Sequence, residues 1–117
     1  MKYLVLIYSN PSTWADTCDM SGWREHFALD AELNESGELL SSEPLEDPVL
    51  TRVVRVRDGV VSTTDGPYAE AKEYLAGYYL VECETEERAI EIAARMPDAR
   101  VSAVEVRPVM NNEGLEM

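Results

Sequence analysis

The sequence predicts an α+β fold of the ferredoxin-like kind. It is βαββαβ with an extra β-hairpin, both helices lying on one face of an antiparallel sheet. Three observations predict it. Period-two apolar patterning recurs in strands at both ends of the chain and between them. Two stretches switch to a helical period, each lying between strands. An Asp58-Gly59 pair joins two β-branched runs, the signature of a tight hairpin.

Lys2 to Tyr8 reads as a strand apolar on both faces, Leu4 and Leu6 on one and Tyr3, Val5 and Ile7 on the other. Helices of one small domain cover one face, so the second face calls for a partner, and a second copy of the chain is the simplest. Ser9 to Met20 reads as a loop. Ser21 is the expected N-cap of a helix running to about Ser36, with Gly37 as its stop. Its apolar arc comprises Trp23, Phe27, Leu29, Ala31 and Leu33, with His26 and Asp30 four residues apart inside it. Leu39–Ser42 is a short strand, and Leu50–Arg57 and Val60–Thr64 form the hairpin. An Asp65-Gly66-Pro67 turn and a charged run lead to a strand over Gly77–Cys83. Thr85 caps a second helix from Glu86 to about Met96, stopped by Pro97. Val101–Pro108 is the last strand, and Met110–Met117 a loose tail.

At 117 residues the chain is one domain, with a core over about residues 1–110. A hydrophobic share of 45% against 28% charged excludes wholesale disorder. The balance of 23 acidic to 10 basic residues gives a net charge of −13, which argues against nucleic-acid and membrane-surface roles. Cys18 and Cys83 have neither a paired framework nor metal-ligand spacing, which predicts free thiols, a reducing cytoplasmic setting and no metal. The apolar run at the N-terminus is too short for a signal-peptide core or a membrane span.

The segments MKYLVLIY, VRVRDGVVSTTDGPYAEAKEYLAGYYLVE and ARMPDARVSAVEVRPV carry a likeness spanning Met1 to about Met110. Its specific part is the pattern DGP-aromatic-AE-x-KE-x-L-x-GYY, with Tyr68 where Phe is usual. On these residues the chain resembles the YCII-related family, in its DGPF subgroup. The resemblance implies a ferredoxin-like fold that dimerises through its sheets, as in the dimeric α/β-barrel superfamily. It implies no settled activity: relatives on this architecture include muconolactone isomerase-like enzymes, small monooxygenases and dehalogenating enzymes. Association of the subgroup with extracytoplasmic-function sigma factors implies a regulatory setting. For the wider family the resemblance implies a His–Asp pair in a cleft. No motif carries that pair onto positions here, and His26 and Asp30 lie where the subgroup commonly has other residues.

Candidate site residues follow from these readings. Asp65 is first a turn former, its alternative role being a strand-end general base. Glu70, Lys72 and Glu73 either pin the loop by salt bridging or hold a substrate carboxylate. Arg55, Arg57, Glu105 and Arg107 are expected on one sheet face, where cross-strand pairing is favoured over an arginine fork for an anion. Tyr8, Tyr78 and Tyr79 are candidates to line the same cavity, with plain core the commoner role for strand aromatics. His26, the single histidine, forms a base-and-orienter dyad with Asp30 or a locally satisfied ion pair. The combined expectation is a homodimer binding a small organic acid at the sheet face. Arg55, Arg107, Lys72, Glu73, Tyr68 and Tyr78 would contact that ligand. Any chemistry would be cofactor-free acid–base chemistry by Asp65 or by His26 and Asp30. The rival is a non-catalytic regulatory or interaction module.

Overall fold

A computed structural model describes residues 1–10, 20–66 and 73–111. Strands β1 (Lys2–Ser9), β2 (Leu39–Pro44), β5 (Tyr74–Glu82) and β6 (Ala103–Pro108) form one antiparallel sheet in the order β2-β5-β1-β6. Helices α1 (Met20–Ser36) and α2 (Glu86–Ala94) form the two crossovers, so this sheet with its helices is the ferredoxin-like βαββαβ unit. Strands β3 (Arg52–Arg57) and β4 (Val60–Asp65) make a separate two-stranded sheet between β2 and β5.

The core lies on the helix side of the large sheet. Tyr3, Val5 and Ile7 of β1 and Tyr79 and Val81 of β5 alternate inward to meet Leu29 and Leu33 of α1 and Ala89, Ile92 and Ala93 of α2, with Met96 just beyond. Leu4, Leu6 and Tyr8 point to the opposite face, which carries Tyr78, Leu80, Glu105 and Arg107 beside them. These side chains are half-buried or exposed, and no element of the described chain covers that face.

Local signals place the ends of the helices. Gly37 at φ +80° lets its own N–H bond Asn34 O and the Glu38 N–H bond Leu33 O, the paired bonds that close a helix C-terminus. Thr85 Oγ1 accepts from Arg88 N–H at 3.2 Å and opens α2. Pro97 follows that helix but does not start a strand. The chain makes one further helical turn, α3 (Asp98–Val101), so the last strand begins at Ala103 instead of Val101. Leu50 also leaves its expected strand, because Asp47 caps a 3₁₀ turn over Pro48–Leu50 by accepting from Val49 N–H at 2.9 Å.

The expected arc of α1 is narrower than its sequence pattern. Leu29 and Leu33 are buried and Trp23 half-buried, whereas Phe27 is 62% exposed and Ala31 is exposed. The shared sheet face of Arg55, Arg57, Glu105 and Arg107 is also corrected. Arg55 and Arg57 sit on the hairpin, and only Glu105 and Arg107 belong to the large sheet. Alternation within a strand fixes its two faces but not the sheet it joins. Asp58 at φ +52° and Gly59 at φ +77° form the expected turn of that hairpin.

Candidate functional site

A cavity of about 500 Å³ opens between the N-terminal half of α1, the β5 strand and the wall formed by Ser42 to Asp47. Its apolar lining includes Ile7, Trp23, Phe27, Leu45 and Ala76. Trp23 and Phe27 lie one turn apart on α1, and their rings stack with centroids 5.9 Å apart. Gly77 is needed for the wall to approach: a Cβ there would stand 2.9 Å from Glu43 O and 3.3 Å from Pro44 Cα.

Four polar side chains converge in this lining, His26, Asp30, Tyr79 and Asp98. His26 Nε2 lies 2.8 Å from Asp98 Oδ1, and His26 Nδ1 lies 3.1 Å from the Tyr79 hydroxyl. That hydroxyl donates a short hydrogen bond to Asp30 Oδ1. An ionised carboxylate can only accept, so Nε2 carries a hydrogen toward Asp98 and the imidazole is held in that tautomer when neutral. The Tyr79 proton then has two acceptors, Asp30 on one side and Nδ1 on the other. The result is a chain, Asp30–Tyr79–His26–Asp98, along which a proton can be held or passed.

Burial sharpens this chemistry. Asp98 is 5% and Tyr79 4% exposed. Burial above all, then the hydrogen bond to Asp30 and the negative charge of Asp30 and Asp98, pushes the Tyr79 phenol far above its ordinary range, so it works as a neutral donor. The four members come from three local devices. His26 and Asp30 share one face of α1 at i and i+4. Tyr79 is an inward position of β5, and Asp98 is set by the single turn of α3.

The structure thus brings His26 and Asp30 together, but through Tyr79, and gives the direct carboxylate contact to Asp98. Asp98 was not among the sequence candidates. It stands 72 residues from His26, beyond any periodicity; its one signal was its place in the likeness segment ARMPDARVSAVEVRPV. Tyr79, expected to line a cavity together with Tyr8 and Tyr78, lines one on the helix side while those two face the other way.

The other candidates lie elsewhere. Asp65 sits at the base of the hairpin with its side chain 89% exposed, 3.5 Å from Arg52, and outside the cavity lining. Gly66 beside it donates its N–H to Thr51 O at 2.9 Å and leaves no room for a Cβ against the Thr51 side chain, so this turn closes the hairpin. Glu73 accepts from Ser102 Oγ at 2.7 Å and Asn10 Nδ2 at 3.4 Å, tying the start of β5 to β1 and β6. Tyr78 points to the open sheet face, 3.2 Å from Ser41 Oγ, and Arg107 lies on that same face. Arg55 belongs to the hairpin. Tyr68, Glu70 and Lys72 lie outside the described residues.

Residues 1–113 match the YCII-related domain. The chain belongs to the YCII-related family. It is 32% identical over 114 residues to the uncharacterised protein R00369 of Rhizobium meliloti (strain 1021), a match covering 93% of this chain and 92% of that protein. Among solved structures it resembles 5-chloro-2-hydroxyhydroquinone dehydrochlorinase (TftG) from Burkholderia phenoliruptrix AC1100, in complex with 2,5-dihydroxybenzoquinone. The TM-score is 0.60 at 12% identity, over 97% of this chain and 98% of that one. At that identity the likeness carries the fold and not the activity. As a YCII-related protein the chain has no described helix long and apolar enough to cross a membrane.

Proposed function

We propose that this YCII-related protein binds a small organic molecule in the helix-side cavity and performs acid–base chemistry on it without a cofactor. The observation that carries the reading is the Asp30–Tyr79–His26–Asp98 chain set in an apolar, partly enclosed lining. In this reading the ligand takes the place of the Tyr79 hydroxyl at His26 Nδ1 and exchanges a proton there, while Asp98 orients the ring through Nε2 and Tyr79 stays bonded to Asp30. This moves the ligand from the sheet face to the helix side. Arg55 and Arg107, the anchors expected for a carboxylate, are not in the lining. Cys83, a buried free thiol, suits the reducing cytoplasm proposed for it.

The test is hydrogen–deuterium exchange at acidic C–H positions of small ketones and hydroxylated aromatics, followed by NMR in D₂O with the full chain. Wild type is expected to accelerate exchange in some members, and His26→Gln to lose about 10²-fold or more of that acceleration. Acceleration unchanged in His26→Gln and in Asp98→Asn would remove the reading.

We also propose a homodimer formed through the open sheet face, supported by the half-buried Leu4, Leu6, Tyr78 and Leu80 that nothing in the described chain covers. A second functional reading, an interaction module linked to sigma-factor control, draws support from the apolar outer face of the β3–β4 hairpin. Its signature would be a normal fold and dimer with no exchange activity on any compound.

A further inference from the structure

The charge of the cavity is one-sided. Asp30 and Asp98 stand in its polar corner, and the wall from Ser42 to Asp47 adds the exposed Glu46 and Asp47, whereas Glu43 pairs with Tyr78, turns its side chain to the open sheet face and meets the cavity through its backbone. Against these four carboxylates the lining, among the described residues, holds one imidazole and no lysine or arginine. Two guanidiniums stand two residues from members of this corner, and neither is among the lining residues: Arg100 pairs with Glu25 at 2.7 Å, and Arg24 is exposed on α1. Segments 11–19, 67–72 and 112–117, which are not described, contain a single basic residue, Lys72. A partly enclosed space walled by like charges repels an anion more strongly than open solvent does, because less water screens the field.

Trp23 and Phe27 add a second, independent preference. Their stacked rings line the same cavity and offer an aromatic surface against which a flat hydrocarbon body can pack. The apolar lining residues Ile7, Leu45 and Ala76 leave room for a flat hydrocarbon body beside them.

We propose that the cavity selects a small protonated amine carried on a flat apolar body, and discriminates against carboxylates of the same shape. This rests on the reading of the cavity as a ligand site and names the class of ligand it takes. An ammonium group has N–H donors for Asp30 and for the acidic wall, and its hydrocarbon part lies against Trp23 and Phe27.

The test compares three probes of one shape, phenethylamine, 2-phenylethanol and phenylacetate, titrated into the full chain and followed by the NMR signals of the His26 and Trp23 rings. Phenethylamine is expected to bind at least about tenfold tighter than phenylacetate, with the alcohol between them, and the gap to narrow as salt is raised. The Glu46→Gln/Asp47→Asn double variant is expected to narrow it too, at unchanged circular dichroism. Phenylacetate binding as tightly as the amine would overturn the proposal and leave the cavity standing as a ligand site. A preference untouched by salt and by the double variant would also overturn it. Failure of all three probes to shift either ring would overturn both the proposal and the ligand-site reading beneath it.

Discussion

Arg88 holds the Glu38 carboxyl well below the ordinary carboxylate range, at about 2, through paired bonds of 2.8 Å from Nε and Nη2 to the two carboxylate oxygens. Ser36 Oγ adds a third bond at 2.8 Å. The pair ties the turn after α1 to α2, at side-chain exposures of 18% for Glu38 and 29% for Arg88, low enough for charge-assisted bonds to exceed surface strength. Glu38→Gln is therefore expected to lower unfolding free energy by about 1–2 kcal/mol at neutral pH, measured by urea denaturation. A carboxyl whose folded pKa is depressed stabilises the fold above its unfolded value, about 4.3, and loses that contribution as pH falls toward the folded value. The gap between wild type and variant should accordingly close between pH 4.3 and about 2. A gap that stayed constant over that window would mean that packing, not charge, is what Glu38 supplies.

Among the elements, β5 carries the most, since it is central to the sheet, supplies Tyr79 and faces the cavity wall through Gly77. Gly77→Ala places a methyl 2.9 Å from Glu43 O on the neighbouring strand, a backbone atom that can yield only by moving β2. The expected cost is about 1–3 kcal/mol, read by chemical denaturation, with displaced NMR signals confined to Ser42–Asp47 and its neighbours. An alanine variant as stable as wild type would show that β2 shifts freely. The same strand shows what could be read in the sequence. The two faces of β1 and β6, the Thr85 cap and the Gly37 stop were all legible, because each depends on residues within a few positions. Asp98 was not, because its partner His26 meets it only after α3 turns back under α1. The detachment of β3–β4 was not legible either: the pattern of Val54 and Val56 against Arg55 and Arg57 is the same for a hairpin standing alone as for two strands within a larger sheet.

For the whole molecule, the open sheet face and the hairpin raise one question of area. Four strands of about seven residues span roughly 22 Å by 19 Å, or about 400 Å² in projection. A standard interface buries about 800 Å² per partner. The sheet face alone is thus marginal for a stable dimer, and the hairpin is the apolar surface left to add. Val54, Val56 and Val61 line one side of it, exposed by 61%, 56% and 65%, more than a lone two-stranded ribbon ordinarily leaves in water. In the proposed dimer the hairpin of each chain therefore lies against its partner. Sedimentation velocity at micromolar concentration is expected to give twice the mass of one chain, with Leu6→Glu abolishing the dimer. Val56→Glu should weaken it by about ten- to a hundredfold while leaving the fold intact by circular dichroism. Each chain carries a net charge of −13, so association should tighten as salt screens the repulsion. A single-chain mass at every salt concentration would refute the dimer, and a Val56→Glu variant that dimerises like wild type would leave the sheet face as the whole interface.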